Sequence, residues 1–486
     1  MPTLPNILLM VADQMAAGMT GAYGGPARTP AMDALAAEGA RFDAAYTPCP
    51  LCTPARASLL TGRFPSRTRT YDNASILPAD VPTWAHSLRS AGYEVVAAGK
   101  MHMVGPDQLH GIERRLTPDI YPTDFAWTPA DERYDAPPST SGNKAEAARS
   151  AGPCDTSWQL DYDENVHRQA LAFLRGRPAA SRPFCLVVSY THPHPPYWAP
   201  RAFWDLYEGT DMGELWPAES EVTPRPPMDR WLQAFQGLSS SDRADADLLR
   251  RVRRAYVAMV SYVDSRVGEL LAALGELSLA DQTAVMLTSD HGEMLGSHGH
   301  VEKRLFYEQA VRVPLLVRLP GRAGGQRFGC PASLMDLGPT LIDLAGGEVL
   351  PDTDGASLMP MLNGGAPRAA GPRVLSEYLG EGVPAPCFLV REGPVKYLYA
   401  HGGEEIAFDL STDSVESTNV ADQAEYADVL DRCRAELLRQ FDIDALADDM
   451  LASRRDRMMI HAAMQVGRAT SWPVRSEPAD TGVEEQ

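Results

Sequence analysis

Asn6-Ile7-Leu8-Leu9-Met10-Val11-Ala12-Asp13-Gln14 is an apolar run that stops abruptly in an acid and an amide. Apolar at every position instead of every second one, it reads as a parallel strand covered on both faces. Its polar C-terminal end is where an open α/β sheet presents groups to a ligand. The same figure recurs along the chain. Residues 93–98 lead into Gly99-Lys100, residues 184–190 into Thr191-His192, and residues 283–288 into Ser289-Asp290-His291. Helical patterns lie between: 29–39, where Thr29 caps, Pro30 takes the first turn and Gly39 closes, then 53–61, 80–91, 161–175 and 243–274. Residues 313–319 read as a further strand and 331–345 as a further helix. Such alternation predicts an α/β fold, a large mostly parallel sheet sandwiched by helices. Asp13, Gln14, Lys100, His192, Asp290 and His291 then converge on one sheet edge.

The 486 residues exceed the usual size of one core, and the texture changes near residue 370. Short strand patterns follow at 372–378, 387–391, 395–400 and 405–410, turned by Glu392-Gly393-Pro394 and His401-Gly402-Gly403, with a helix over 423–440. The expected organisation is a catalytic domain over residues 1–368 and a C-terminal α+β subdomain over 369–445, a small antiparallel sheet packed on a helix. An extension over 446–486 completes it, helical to 466 and frayed over 471–486. Residues 105–157, rich in Pro, Asp, Ser and Gly, read as a long irregular excursion beside the active site.

A net charge of −20 disfavours nucleic acid and anionic membrane as partners. No window of about 20 apolar residues is present, so no membrane span is expected. The N-terminal stretch lacks the basic region of a secretory signal, and the seven cysteines are scattered. Both point to reduced thiols in a cytoplasm.

The strongest local signal is Cys52-Thr53-Pro54-Ala55-Arg56, continued by Ala57-Ser58-Leu59-Leu60-Thr61-Gly62. Pro54 in a first turn puts Cys52 at a helix N-terminus, where free N–H groups and the helix dipole favour an anion. Arg56, one turn on, can hold an oxyanion through its fork of donors. Cys49-Pro50-Leu51-Cys52 is also a C-x-x-C, which a redox pair or half a zinc site would use. No second such pair completes a zinc site, and no thioredoxin-like context surrounds it. A plain buried thiol is the third reading. Asp13, Gln14, Asp290 and His291 offer mostly oxygen donors with one imidazole, a set for a divalent cation. Alone, each aspartate could equally cap the helix that follows it.

The Cys52–Gly62 segment resembles the C-x-P-x-R signature of formylglycine-dependent sulfatases in the alkaline-phosphatase-like superfamily. The resemblance implies that a formylglycine-generating enzyme oxidises Cys52 to 3-oxoalanine. It also implies that Asp13, Gln14, Asp290, His291 and residue 52 hold a divalent metal. Ca2+ is expected, and Mn2+ would suit a phosphonate hydrolase relative. Gly99-Lys100-Met101-His102 resembles the family's G-K-x-H element, with Lys100 on the sulfate and His102 on the formylglycine hydrate. His192 opens His-Pro-His-Pro-Pro and resembles a strand-end histidine of the family, while His194 is structural. Lys303 matches a second lysine, and Asn73 is a further substrate donor. In the implied mechanism the hydrated aldehyde attacks sulfur while Lys100, Lys303, Arg56 and the metal neutralise the oxygens. His192 or Lys303 then protonates the departing alcohol, and His102 removes the proton that lets sulfate leave.

Residues 99–111, 116–127, 376–382 and 458–472 are similar to choline sulfatases. That likeness implies a quaternary ammonium held by Trp127 and Glu377, with Glu381 a secondary carboxylate, and a homo-oligomer. The stretch after residue 472 does not resemble that family's subunit-swapped tail, the 139–151 loop lacks its histidine, and 292–303, with His298, is closer to general sulfatases. The expected substrate is a small organic sulfate monoester, choline sulfate or a related alkyl or aryl ester. Two other classes stay open: phosphonate monoester or phosphodiester hydrolysis on the same scaffold, and a non-catalytic binding protein.

Overall fold

The computed structural model describes residues 4–129, 144–178, 181–212, 225–365 and 373–467. The strand Asn6–Ala12 runs through the middle of an eight-stranded sheet. It pairs in parallel with Phe184–Tyr190 on one side and Thr283–Ser289 on the other, and Glu94–Gly99 lies parallel beyond Phe184–Tyr190. Leu315–Arg318 runs antiparallel to both its neighbours, Thr283–Ser289 and Ala40–Phe42. Gln326–Phe328 and Arg114–Arg115 form the two edges.

The unbroken apolar run of the central strand has a direct cause. Side chains alternate across a sheet, so Leu8, Met10 and Ala12 enter one core while Ile7, Leu9 and Val11 enter the other. The first core is closed by the helices Trp158–Arg175 and Ala246–Glu276, through Val166, Ala170, Val252, Val260 and Val267. The second is closed by Cys52–Thr61, Trp84–Ser90 and Leu337–Ala345, through Leu59, Leu60, Trp84, Leu88 and Leu341. Each fully buried Leu or Ile contributes about 1.5–3 kcal/mol, so both faces must stay apolar and only strand ends are free to carry polar groups.

Beyond this body, Arg373–Tyr378, Cys387–Glu392, Val395–Ala400 and Ile406–Asp409 form an antiparallel four-stranded meander. The helix Ala427–Gln440 packs on it through Leu430, Cys433 and Leu437. A last helix, Ile443–Met464, follows.

Several boundaries differ from the sequence expectation. The expected strand over 313–319 divides at Pro314, which has no N–H to give to a ladder. Arg312–Val313 joins Ala45–Tyr46 in a small separate sheet, and Leu315–Arg318 enters the main one. The helix expected over 243–274 is split, because the Asp245 carboxylate accepts from the Asp247 and Leu248 N–H groups and so starts a new helix at Ala246. The helix expected over 80–91 starts only at Trp84, after a Thr83–His86 capping box. The excursion over 105–157 is partly ordered into Arg114–Arg115, a 3-10 turn at Phe125–Trp127, the helix Lys144–Arg149 and the strand Gly152–Cys154 paired with Trp198–Pro200. Residues 130–143 and the tail from 468 lie outside the described residues. Among the described residues, no helix is long and apolar enough to cross a membrane.

Candidate active site

Strand ends bring together the groups that the sequence scatters over nearly 300 residues of chain. Asp13, Gln14, Lys100, His192, Asp290 and His291 are all fully buried at the C-terminal edge of the central strands. Gly99 makes one of these placements possible. Its φ is +102°, and a Cβ there would lie 1.9 Å from the Ser189 carbonyl oxygen, so only glycine allows the chain to turn Lys100 inward. Cys52 begins the helix Cys52–Thr61. The Thr53 N–H, one of the free donors of that first turn, is received by Asn73 Oδ1 at 3.0 Å.

Cys52 Sγ lies among these groups. His291 Nε2 lies 3.2 Å from it, Lys303 Nζ 3.4 Å and Asp13 Oδ1 3.7 Å. Lys100 Nζ forms an ion pair with Asp13 Oδ2. Arg56 donates through Nε to Asp290 Oδ2 at 2.8 Å and through Nη1 to Ser189 Oγ at 2.9 Å, while its Nη2 is buried with no partner among the described residues. The Gln14 N–H donates to Asp290 Oδ1 at 3.0 Å, and Gln14 Oε1 accepts from Lys303 Nζ at 2.6 Å. Gln14 and His102 both hold positive φ, +69° and +56°. Such backbone persists where the surroundings over-determine it, as functional sites do.

The electrostatics follow from these contacts. Burial alone would raise the Cys52 thiol, but Lys100, Lys303 and His291 reverse it and hold the thiol well below its ordinary value. Burial, Asp290 and Cys52 together raise Asp13. Burial opposes ionisation of Asp290 as well, yet His291 and Arg56 keep its carboxyl low. Burial works against the Lys303 ammonium, and Cys52, Asp13 and Glu302 outweigh it. Donor atoms of Asp13, Cys52, Asp290 and His291 lie within 4.8 Å of one another. His291 Nδ1 donates to the Gly292 carbonyl at 3.1 Å, because a carbonyl can only accept, and this directs Nε2 at the cluster, where it would become a ligand on giving up its proton. Crowded carboxylates, an amide carbonyl in Gln14 and one imidazole fit a hard divalent cation. Cys49, by contrast, is buried, and burial with Glu377 and Glu381 pushes its thiol well up. A thiol held protonated is a poor redox partner or zinc ligand.

His102 and His194 face Cys52, and His192 follows the end of the strand Phe184–Tyr190. His192 Nδ1 lies 2.7 Å from Asp163 Oδ2, and Asp163 also accepts from the N–H groups of Thr191 (2.8 Å) and His192 (2.9 Å) and from Thr191 Oγ1 (3.0 Å). His192 Nε2 is buried with no partner among the described residues. The His102 N–H donates to Asp119 Oδ2 at 2.7 Å, and burial lowers the imidazole so that it stays neutral. Trp127 meets the His102 ring edge-on at 5.6 Å, and Tyr121 lies 5.0 Å from each of them with Lys100 Nζ 4.5 Å above its face. His194, expected to be structural, instead turns its imidazole to Cys52, Lys303 and Asp13, where burial lowers it, and its Nδ1 is 3.2 Å from the Tyr121 hydroxyl. His298 stacks on Tyr307 at 3.8 Å.

Glu377 is fully buried. Its Oε1 accepts from the Ser66 N–H, its Oε2 is buried with no partner among the described residues, and burial lifts its carboxyl to about 8. Glu381 lies 3.6 Å from Arg304 Nε and accepts from Tyr378.

Sequence reasoning missed Asp163, Asp119 and Tyr121. Asp163 left a signal: it shares the buried stripe of the helix Trp158–Arg175 with Val166, Ala170 and Leu174, an acid at a core position. Asp119 and Tyr121 sit in an irregular loop whose path no local pattern reveals.

The Sulfatase family model matches residues 5–347, and the model for the C-terminal region of N-sulphoglucosamine sulphohydrolase matches residues 296–442. A choline-sulfatase of Rhizobium meliloti is 41% identical over 96% of this chain and 93% of its own length. Arylsulfatase K of Gallus gallus is 30% identical over 86% of this chain and 79% of its own. In three dimensions the phosphonate monoester hydrolase of Agrobacterium radiobacter superposes with a TM-score of 0.70, at 24% identity, over 92% of this chain and 96% of that one. That last likeness concerns the fold alone. With the Sulfatase family model covering most of its length and the choline-sulfatase aligned almost end to end, the chain belongs to the sulfatase family.

Proposed function

We propose that the protein hydrolyses a small organic sulfate monoester, breaking the S–O bond to give an alcohol and sulfate, with residue 52 as formylglycine and Asp13, Gln14, Asp290 and His291 holding a divalent cation. The single observation that carries this reading is the convergence on Cys52 Sγ. An acidic, imidazole-bearing cluster lies on one side of it and three buried cations, Lys100, Lys303 and Arg56, surround it. When bound, the cation supplies Lewis acidity to the hydroxyl that hydrated formylglycine offers as nucleophile. An oxygen-rich donor set favours Ca2+, with Mn2+ the second choice.

The chain's own groups divide the remaining work. Lys100, Lys303 and the unpartnered Nη2 of Arg56 bind and neutralise the sulfate oxygens as charge builds on them. His192 Nε2 gives its proton to the departing alkoxide, and Asp163 orients the ring and stabilises its charged form. Lys303 is less suited to that step because its ammonium is already directed at Gln14 and residue 52. His102, kept neutral by burial, accepts the proton that releases sulfate.

The alcohol portion is a quaternary ammonium of the choline type. Trp127 and Tyr121 supply aromatic faces beside His102. Glu377 supplies a carboxylate that ionises when the cation arrives. The likeness to a choline-sulfatase supports this choice.

The test is a turnover panel on converted, metal-loaded enzyme with choline sulfate, 4-nitrophenyl sulfate and a phenyl phosphonate monoester. The expected ranking in kcat/KM is sulfate esters above phosphonate. A phosphonate turned over faster than both sulfates would replace the reading with phosphonate hydrolysis. Absence of turnover in fully converted enzyme would leave a binding protein.

A further inference from the structure

The helix Ile443–Met464 lies far from Cys52 in sequence but grips both chain segments that hold it. Arg457 is buried and makes a two-pronged pair with the fully buried Asp72, Nη1 to Oδ1 at 2.5 Å and Nη2 to Oδ2 at 2.8 Å. Asp72 in turn organises its own turn, accepting from the Ala74 N–H at 3.0 Å and from Ser75 Oγ at 3.1 Å. The residue inside that turn is Asn73, whose Oδ1 receives the Thr53 N–H. Burial alone would raise the Asp72 carboxyl, but Arg457 outweighs it, so the pair stays ionised.

One turn earlier on the same helix, Arg454 is buried and donates to the carbonyls of Leu379 at 2.8 Å and Gly380 at 2.6 Å. Gly380 abuts Leu51: a Cβ at residue 380 would come within 2.7 Å of Leu51 Cδ2. Leu51 and Thr53 are the two neighbours of Cys52. The helix also packs on the Phe125–Trp127 turn, which carries the tryptophan that meets His102.

We propose that the helix Ile443–Met464 is a clamp that positions residue 52. Arg457 acts through Asp72 and Asn73 on Thr53, and Arg454 acts through Gly380 on Leu51. Both arginines are positioning residues, since neither reaches the reacting atoms. The assignment rests on residue 52 carrying the nucleophile. Its consequence is that the precision of the nucleophile's placement depends on a helix outside the main sheet, whose strand ends carry Asp13, Lys100 and Asp290. A displacement of a reacting group of about 1 Å can cost on the order of a hundredfold in rate, so loosening this support should be visible in kcat.

The experiment compares Arg457→Ala, Arg457→Lys, Asn73→Ala and the Arg457→Ala/Asn73→Ala double variant. It uses full-length metal-loaded enzyme with 4-nitrophenyl sulfate, each rate divided by the fraction of residue 52 converted. Arg457→Ala should lower kcat about tenfold with little change in KM, and Arg457→Lys should restore part of the loss. Because Arg457 acts through Asn73, the double variant should lose no more than the worse single variant. Losses that multiply in the double variant would overturn the clamp, as would Arg457→Ala with a lower Tm and an intact kcat per converted site. Amide hydrogen exchange over residues 51–56 needs no turnover. It should quicken in Arg457→Ala, and unchanged exchange there would also overturn the proposal. Wild-type enzyme without turnover would sink the sulfatase reading instead, and the exchange comparison would still decide the clamp.

Discussion

Replacing Asp163 by asparagine tests the acid–base assignment more sharply than removing His192 itself. In the native site Asp163 receives His192 Nδ1 at 2.7 Å together with two backbone N–H groups and the Thr191 hydroxyl. Asparagine is nearly isosteric and can still accept through one oxygen. Its NH2 must face one of those donors, so the cradle that fixes the ring is broken on one side. The His192 ring is then less firmly aimed at the leaving oxygen. General acid catalysis is worth about 10²–10⁴ in rate, so we expect kcat for an unactivated alkyl sulfate to fall about 10²–10³-fold, about 3–4 kcal/mol of transition-state stabilisation. A nitrophenolate leaves without needing a proton. For 4-nitrophenyl sulfate the loss should stay within about tenfold. The assay is kcat for choline sulfate, followed by sulfate release, against kcat for 4-nitrophenyl sulfate on the same preparation. The ratio is immune to partial unfolding or incomplete conversion, which scale both rates alike. Equal losses for the two substrates would refute the assignment of His192 and Asp163 to leaving-group protonation.

Three further outcomes are expected. Chelation should abolish turnover, Ca2+ or Mn2+ should restore it, and Asp290→Asn should prevent that rescue, as read by activity against added metal; full activity in metal-free enzyme would contradict the cation site. Trp127→Ala should raise KM for choline sulfate about tenfold, in line with a cation–π contact of about 1–2 kcal/mol, and change KM for 4-nitrophenyl sulfate much less; equal shifts would remove the ammonium from the Trp127 face. Asp229 is buried and accepts from the Tyr307 hydroxyl at 2.7 Å, and burial raises its carboxyl from 3.8 to about 7. The folded state therefore keeps a proton that the unfolded chain has already lost, so this group's contribution declines as pH rises from about 4 to about 7, by about 4 kcal/mol in all, and is flat above. Asp229→Asn should weaken that decline in denaturant unfolding measured across the range, and an unchanged pH profile would rule out the group as its source.

Much of this architecture was legible because burial on both faces forces a strand to be apolar throughout, which is visible in Asn6–Ala12 without any structure. The polar residues that follow each such run were legible for the same reason, since a sheet edge is the one place where they can stand. Cys52 and Arg56 could be read as a pair because proline in a first turn fixes a helix start. What escaped were groups whose meaning depends on distant partners. Asp163 looks like an ordinary helix residue until the His192 ring is placed against it. Pro314 divides an apparently continuous strand between two sheets. Asn73 reads as a substrate donor from its neighbourhood in sequence, but that its Oδ1 accepts from the Thr53 N–H, which is compatible with donation through Nδ2, no local pattern reveals. The burial of Glu377 beside Ser66 had no local signature either.

The central claim, that residue 52 is the formylglycine nucleophile, is tested most directly by peptide mass spectrometry of protein co-produced with a formylglycine-generating enzyme and alkylated after denaturation. The account predicts that the peptide spanning Cys52 appears about 18 Da below the cysteine form and takes up no alkyl group, in a fraction that rises in step with sulfatase activity. A fully alkylated Cys52 in protein that nevertheless turns over sulfate esters would contradict it.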